Sequence, residues 1–270
     1  MTKLSSSEAE RMSPREFRQA VRSGDWTGKT QSGRICPGYA QMNLTIVPKE
    51  FAFEFLLFCH RNSQVFSVTD VTEPGNPHPM RIAPDADIRT DLPCYRVFKN
   101  GELVAEPPDI RHYWRDDLVG FLTGCTLGHE WLLEASNVKF RYAGSFVSNI
   151  QCIAAGRFSG PMVVGCRLVK GSREAVRAVE ITSRNPAAHG APVFIGTPAA
   201  IGIDDITANY KGERLDYPPP QPDEIPMFWG NGNTCQTEEA AKRFALPLMI
   251  VHKGSYMFVS DKLTAELAIQ

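Results

Sequence analysis

The spacing of apolar residues divides the 270-residue chain into short segments of helical or strand-like period. Near the start, Ser13, Pro14 and Glu16 make a helix-start signature: a capping hydroxyl, a proline suited to the first turn, and a carboxylate three residues after the cap. Phe17, Ala20 and Val21 then share a face, and Gly24 ends the helix. Residues 1–12 carry no such pattern and are expected to be disordered. Residues 44–47 read as a short strand. Pro48 opens a helix to Cys59 in which Phe51, Phe55 and Phe58 cover one side and Ala52, Leu56 and Cys59 another. A helix apolar on most sides is buried.

Residues 72–93 are rich in proline and aspartate and read as loop. Residues 94–98 and 102–105, joined by Lys99-Asn-Gly101, predict a hairpin with an Asn-Gly turn. Residues 113–122 predict a helix, Gly124 interrupts it, and residues 130–135 predict another. Residues 161–169 are strand-like, and Ser172 caps a helix to residue 183. Strands follow near 193–195, 225–229 and 248–252, with a helix at 237–244 and a last short strand at 257–260. This alternation implies an α/β fold, with a mixed or parallel sheet flanked by helices on both faces. The hairpin at 94–105 points to a second, smaller α+β subdomain. Residues 13–270 are therefore expected to form one domain of two subdomains with a cleft, and only the proline-rich stretch 217–226 resembles a linker.

Composition narrows the function classes. The formal net charge is −1, without the clusters of Lys and Arg that nucleic acid or an anionic membrane requires. Seven scattered cysteines, an odd count without a Cys-x-x-Cys pair, read as free thiols of a reducing compartment. The N-terminal stretch lacks an apolar signal core and carries Glu8, Glu10 and Glu16, so a cytoplasmic location is expected. Gly28-Lys29-Thr30 looks like a fragment of a phosphate-binding loop, but the spacing from Gly24 is one residue short and a helix precedes it. No His-x-x-x-His, Cys-x-x-Cys or Gly-x-Ser-x-Gly occurs, so neither a metal nor a serine nucleophile is indicated.

Four stretches carry candidate chemistry. In Gly124-Cys-Thr-Leu-Gly-His-Glu130, flanking glycines let backbone approach a ligand, and Glu130 would act as a general acid or base; by residue type alone a helix-start carboxylate is the commoner reading. In the run 184–196, His189 precedes Gly190, Ala191 and Pro192 and is expected to be exposed at a strand edge, able to move protons near neutrality. Arg184 offers a planar fork to a carboxylate, and a plain surface loop is the alternative. Trp229-Gly-Asn-Gly-Asn-Thr234 is a glycine-rich turn able to hold an anion or simply a tight connection. Arg89 and Asp91, with Asp109, Arg111, Arg115, Asp116 and Asp117, read as ion pairing, with Arg89 also able to bind a carboxylate.

The same stretches resemble a family of hydro-lyases with D-glutamate cyclase-like members. The matching words are Gly38-Tyr-Ala-Gln-Met-Asn43, Phe58-Cys-His-Arg-Asn62, Val71-Thr-Glu-Pro-Gly75, Ile88-Arg-Thr-Asp-Leu-Pro93 and Trp114-Arg-Asp-Asp-Leu-Val119. They continue with Gly124-Cys-Thr126 and Glu130, His189-Gly-Ala-Pro192, Ile201-Gly-Ile203 and Phe228-Trp229, in consistent order over residues 14–261. The resemblance implies a cofactor-independent enzyme, with its site in the cleft, that removes water from a small amino-acid-like carboxylate. The cyclisation of D-glutamate to 5-oxo-D-proline is the example. It departs from the family pattern at Gln151, Cys152 and Ile153 (usually Pro-Met-Tyr), His129 (usually Phe), Asn231 (usually Cys) and Cys235 (usually Pro).

On this reading His189 and Glu130 are the acid/base pair, and Arg184 or Arg89 holds the spectator carboxylate. Asn149 and the backbone at Cys125 and Thr126 stabilise the developing oxyanion, with Asn43 and Asn231 completing the substrate-binding set. His189 and Glu130 must then face one pocket within about 10 Å of each other. The competing reading is a non-catalytic module that binds a small carboxylate or a protein. The sequence leaves open whether the chain forms a homo-oligomer.

Overall fold

The computed structural model describes residues 4–30, 35–208 and 218–268. In chain order, α1 (Ser6–Ala9) and α2 (Pro14–Ser23) lead to β1 (Tyr39–Pro48), α3 (Lys49–Arg61), β2 (Val68–Val71), β3 (Tyr95–Lys99), β4 (Glu102–Ala105) and β5 (Leu118–Gly124). Then come α4 (Thr126–Ala135), β6 (Phe140–Ala155), β7 (Phe158–Lys170), α5 (Gly171–Ser183), β8 (Phe194–Ile195), β9 (Glu224–Gly230), α6 (Glu238–Phe244), β10 (Met249–His252) and β11 (Phe258–Leu263).

The strands form a seven-stranded sheet ordered β2-β5-β1-β10-β3-β4, with β11 also on β1, and a four-stranded sheet ordered β6-β7-β9-β8. Sheets flanked by helices fit the α/β expectation, but every described ladder is antiparallel. Parallel pairing fails in the second half because the long segment between α5 and β9 turns the chain again before β9 enters beside β7. The predicted hairpin is present as β3–β4 and forms one edge of the larger sheet.

The two sheets are joined by one apolar core. Val47, Phe98, Phe121 and Val251 of the larger sheet meet Phe146, Val164, Cys166 and Phe228 of the smaller, with Phe55 and Phe58 of α3 and Phe244 of α6 between them. Alternation along β7 sends Cys166 and Leu168 into that core and Gly165 and Arg167 to the opposite face, over which Leu133 of α4 and Ala175 and Ala178 of α5 pack with Trp229 of β9.

Three expectations are corrected. Residues 4–12 are ordered rather than disordered: Ser5 caps α1, and the buried Ala9 packs with Phe17 and Val259; residues 1–3 lie outside the described residues. Residues 113–122 hold no α-helix; a 3-10 turn at Arg111–Tyr113 precedes β5, whose seven residues are all buried between β1 and β2. Gly120 fits there because a Cβ would lie 2.4 Å from Ile88 Cδ1. The 16-residue β6 has no counterpart in the predicted elements. Among the described residues no helix is long and apolar enough to cross a membrane.

Candidate active site

The two loops singled out in the sequence dock onto each other. The 3-10 turn Pro186–Ala188 lies against the end of β5 and the start of α4. A Cβ on Gly124 would stand 1.5 Å from the Ala187 carbonyl oxygen, and one on Gly128 would stand 2.9 Å from the Ala188 Cβ. These glycines therefore receive the protein's own backbone rather than opening room for a ligand. Ser67 Oγ fixes the contact by donating to Ala187 O at 3.1 Å.

His189 follows this turn with φ 76°, and the Asn185 carbonyl closes it by accepting from the amides of Ala188 and Gly190, each at 3.0 Å. Its ring is 1% exposed, which corrects the expectation of an exposed histidine. His189 Nδ1 faces the Gln64 carbonyl at 3.2 Å. A carbonyl only accepts, so Nδ1 carries the hydrogen, and because burial disfavours the charged ring, Nε2 keeps its lone pair. His129, on α4, is in the same state: its Nδ1 lies 3.2 Å from Ala188 O, and its buried ring packs on Trp229 with centroids 4.8 Å apart. Neither Nε2 has a partner among the described protein groups. Burial first, and the charge of Arg167 as well, pushes His189 down to about 4. Burial, then the charges of Arg167 and His189, holds His129 well below the usual histidine range.

Arg167, whose charge acts on both rings, is held by Glu130. Its guanidinium is 1% exposed and lies 5.0 Å over the Tyr142 ring, on the strand neighbour that pairs with it. Nη2 donates to Glu130 Oε1 in an ion pair. Gly165 makes the room: a Cβ there would be 2.5 Å from Arg167 Nη1 and 3.5 Å from Asn231 Nδ2. Arg167 Nε and Nη1, and both side-chain polar atoms of Asn185, are buried without a protein partner. Native interiors satisfy nearly all such groups, so a cluster of orphans marks a place where a polar ligand belongs. Glu130, part-exposed, also borders a cavity of about 350 Å³ shared with Tyr142 and Arg141, so the cluster has a side facing solvent.

Of the other expected residues, Asn43, Cys125, Thr126 and Asn231 gather around this centre. Asn43 Nδ2 donates to Gly124 O, and its amide fills the space that a Cβ on Gly232 would need. Asn231 Nδ2 donates to Ser145 Oγ at 3.1 Å, and its Oδ1 accepts from the Asn233 amide at 2.9 Å. Cys125 and Thr126 are buried at the start of α4, and burial pushes the Cys125 thiol up to about 11, so it stays protonated at neutral pH.

Three expected residues are elsewhere. Arg89 is paired with Asp87 at 2.8 Å and lies over Trp114, whose indole donates to Gly75 O beside Leu118. That is the far end of β5 from Gly124, roughly 20 Å away at 3.3 Å per residue. Asn149 is exposed, with its Cβ against Gly202, because alternation on β6 turns Ser148 inward instead. Arg184 is exposed beyond α5 and lines an outer groove of about 360 Å³ with Glu180 and Asn185.

Arg167 is not among the residues the sequence singles out, and His129 appears there only as a departure from the family pattern. The available signal was a single arginine inside the apolar run 161–169, two residues after a glycine. A buried strand admits an arginine only when something pairs with it. Among the described residues no group of three or more His, Cys, Asp or Glu is placed to hold a metal ion.

Comparison with known proteins places this geometry in context. The family model described as D-glutamate cyclase matches residues 119–261, the span that contains His129, Glu130, Arg167 and His189. A relative from Bacillus licheniformis, carrying the name "Putative hydro-lyase", is 47% identical over 257 residues, covering 93% of this chain and 95% of that protein. Relatives of the same description from Geobacillus kaustophilus and Bacillus subtilis are 43% and 41% identical over 264 residues, each covering 96% of this chain and 97% and 100% of their own. Among solved structures, a nitrogen repressor-like protein from Methanococcus jannaschii matches with TM-score 0.37 and 10% identity, over 83% of this chain and 88% of its own, too distant to inform function.

Proposed function

The chain belongs to the D-glutamate cyclase family, and from that premise we propose that it is a hydro-lyase that removes water from a small amino-acid-like carboxylate by acid/base chemistry, with cyclisation of D-glutamate to 5-oxo-D-proline as the reaction. The observation that carries this reading is that a buried bare imidazole nitrogen, His189 Nε2, lies within reach of the charge of a buried guanidinium whose Nε and Nη1 also lack partners. An arginine fork suits a carboxylate, and a neutral imidazole suits a proton acceptor.

In this reading Arg167 holds a substrate carboxylate through Nε and Nη1, taking the part expected of Arg89 or Arg184. Glu130 acts as the counter-charge that aims the guanidinium, because its carboxylate is already ion-paired. His189 Nε2 takes a proton from the substrate ammonium. The freed amine attacks the side-chain carboxyl carbon, and the oxyanion develops beside the Asn231 and Ser145 side chains. The nitrogen gives up two protons in all. Both end on one carboxyl oxygen, which leaves as water, so the base is restored and no other reactant is consumed. A bound carboxylate also offsets the Arg167 charge that depresses His189, so substrate makes the base stronger when it is needed. A module that only bound carboxylates would use Arg167 but has no need of the bare Nε2.

His189→Asn tests the proposal, since asparagine tolerates the left-handed backbone at this position and cannot carry a proton. D-glutamate turnover should fall by about a hundredfold or more, while D-glutamate still raises the thermal midpoint. Unchanged turnover removes His189 from the chemistry. If the wild-type chain releases water from no member of a panel of amino and hydroxy acids, the hydro-lyase reading is overturned.

A further inference from the structure

We propose that the outer groove at the end of α5 is a second binding site, for a small lactam carboxylate, through which 5-oxo-D-proline acts back on the enzyme that releases it; the choice of ligand rests on the hydro-lyase reading above. The groove holds about 360 Å³ and is lined by Leu132 of α4, Glu180 and Ile181 of α5, and Arg184, Asn185 and Ala268. Sites for small ligands start at about 300 Å³. It shares no lining residue with the cavity beside Glu130, so it is separate from that opening.

Asn185 points to the occupant. It lines the groove yet is only 1% exposed, which sets it at the base. Its Nδ2 and Oδ1 are both buried with no partner among the described residues. An occupant that satisfies both must offer an acceptor and a donor side by side. A carboxylate offers acceptors only and an ammonium donors only, so each leaves one atom orphaned. The cis-amide edge of a lactam offers both at once, its C=O accepting from Nδ2 and its N–H donating to Oδ1. The rest of the groove fits the rest of such a molecule. Leu132 and Ile181 give an apolar wall for ring methylenes, and Arg184, exposed at the rim, suits the carboxylate. Glu180, one turn earlier, is exposed as well, so water and salt screen its charge.

The place of Asn185 in the chain gives the site its consequence. Its carbonyl accepts from the amides of Ala188 and Gly190, each at 3.0 Å, and its own amide donates to Thr182 O at 2.9 Å. The residue at the base of the groove is therefore the one that closes the turn carrying His189. Product bound at the Arg167 fork competes with D-glutamate and raises KM. Product bound in the groove displaces no substrate. It lowers kcat instead, to the extent that it binds a shifted turn better than the competent one.

The test titrates 5-oxo-D-proline by calorimetry into wild type, Arg184→Ala and Asn185→Leu, and again on an Arg167→Met background, which removes the fork so that the groove is read alone. Cyclopentanecarboxylate, which lacks the amide edge, and D-glutamine, whose primary amide shares it, are titrated alongside. Circular dichroism follows folding, and the exposed Arg184 supplies a readout should Asn185→Leu fail to fold. The lactam should bind about tenfold tighter than cyclopentanecarboxylate. Asn185→Leu should abolish that preference, and Arg184→Ala should weaken the lactam about fivefold. In initial rates on D-glutamate, added 5-oxo-D-proline should lower the wild-type kcat, and Arg184→Ala, with its basal rate unchanged, should lose that response. Equal affinity in wild type and both variants, tighter binding of D-glutamine than of the lactam, or inhibition through KM alone overturns the proposal. Any of these with D-glutamate still converted sinks this inference only. A wild type that converts no D-glutamate sinks the reading beneath it, while the calorimetry still decides whether the groove takes a lactam.

Discussion

Among the described residues two arginines are almost wholly buried, and they are treated oppositely. Arg18, on α2, is 2% exposed; its Nη1 donates to Val259 O at 2.9 Å and Asp261 Oδ1 at 2.8 Å, its Nη2 to Asp261 Oδ2 at 3.1 Å, and Asp91 approaches Nε at 3.9 Å. Arg22 completes that network by pairing with the same Asp91 at 2.7 Å. Arg167 has one partner, Glu130, and two nitrogens left over. A closed network holds the N-terminal helix to β11 and has nothing left to offer. An open one keeps donors in reserve, and reserve donors inside a protein are what a binding site consists of.

The largest effect should come from breaking each arginine in turn. Arg18→Met takes the partner from Asp261, leaves the buried Asp91 with Arg22 alone and strips the Val259 carbonyl of its donor, and should cost about 3 kcal/mol of folding stability, while turnover per folded molecule stays unchanged. Arg167→Met should do the reverse. Arg167 Nε and Nη1 are buried without partners, so its removal also relieves an uncompensated burial cost and stability falls less, but kcat/KM on D-glutamate should drop about a thousandfold with the loss of the carboxylate fork. Chemical denaturation and steady-state kinetics on both variants decide the matter. Equal destabilisation with intact turnover in Arg167→Met would mean that its spare nitrogens are only a packing defect.

Acid sharpens the same contrast among histidines. His252 is as buried as His189 and is likewise pushed down to about 4, chiefly by burial. Its ring is nonetheless satisfied: Nδ1 accepts from the Leu44 amide at 3.0 Å, and the Gln236 amide lies 2.9 and 3.2 Å from the two ring nitrogens. Both groups have a folded-state pKa below the ordinary histidine value of 6.5, so the unfolded chain binds more protons between pH 6.5 and 4. Their contribution to stability is complete above that window, declines as pH falls through it, and reaches its floor below 4. Between pH 7 and 5 each should cost about 2 kcal/mol. His189→Asn should remove one such share, so its stability should fall less steeply than that of wild type over this range. A carboxylate ligand should also flatten the wild-type curve, through His189 and not through His252. Identical slopes for wild type and variant would show that His189 does not stay neutral in the folded chain.

What the sequence made legible was local. The Ser13–Glu16 box appears as predicted, with both reciprocal hydrogen bonds, and Asn100-Gly101 turns a hairpin. Residues 118–124 were not legible, because a buried apolar run has no period to separate strand from helix. Nor was β6, whose alternation is broken by register shifts at Tyr142/Ser145, Val147/Gln151 and Cys152/Ala155. The site divides the same way. The glycines of 124–130 and the turn before His189 announced themselves by composition, but that one loop seats itself on the other is a fact of contacts about 60 residues apart, as in His129 to Ala188. Arg167 meets Glu130 across 37 residues, and nothing in an apolar strand names that partner.

The smallest effect expected is at the two arginines the sequence favoured. Arg89 spends its fork on Asp87 at the far end of β5, and Arg184 stands exposed on the outer rim of the groove beside Asn185. Arg89→Ala removes a part-exposed pair and should cost under about 1 kcal/mol. Arg184→Ala breaks no described ion pair. Neither change alters the charge or the donors around Arg167, so kcat/KM for D-glutamate should stay within about twofold of wild type in both, less than 0.5 kcal/mol of barrier. A tenfold loss in Arg184→Ala alone would move the comparison. It would mean that substrate reaches the cluster from the Asn185 side, past an outer cation, rather than along Glu130, and the closed and open arginines would then have a third, transient partner between them.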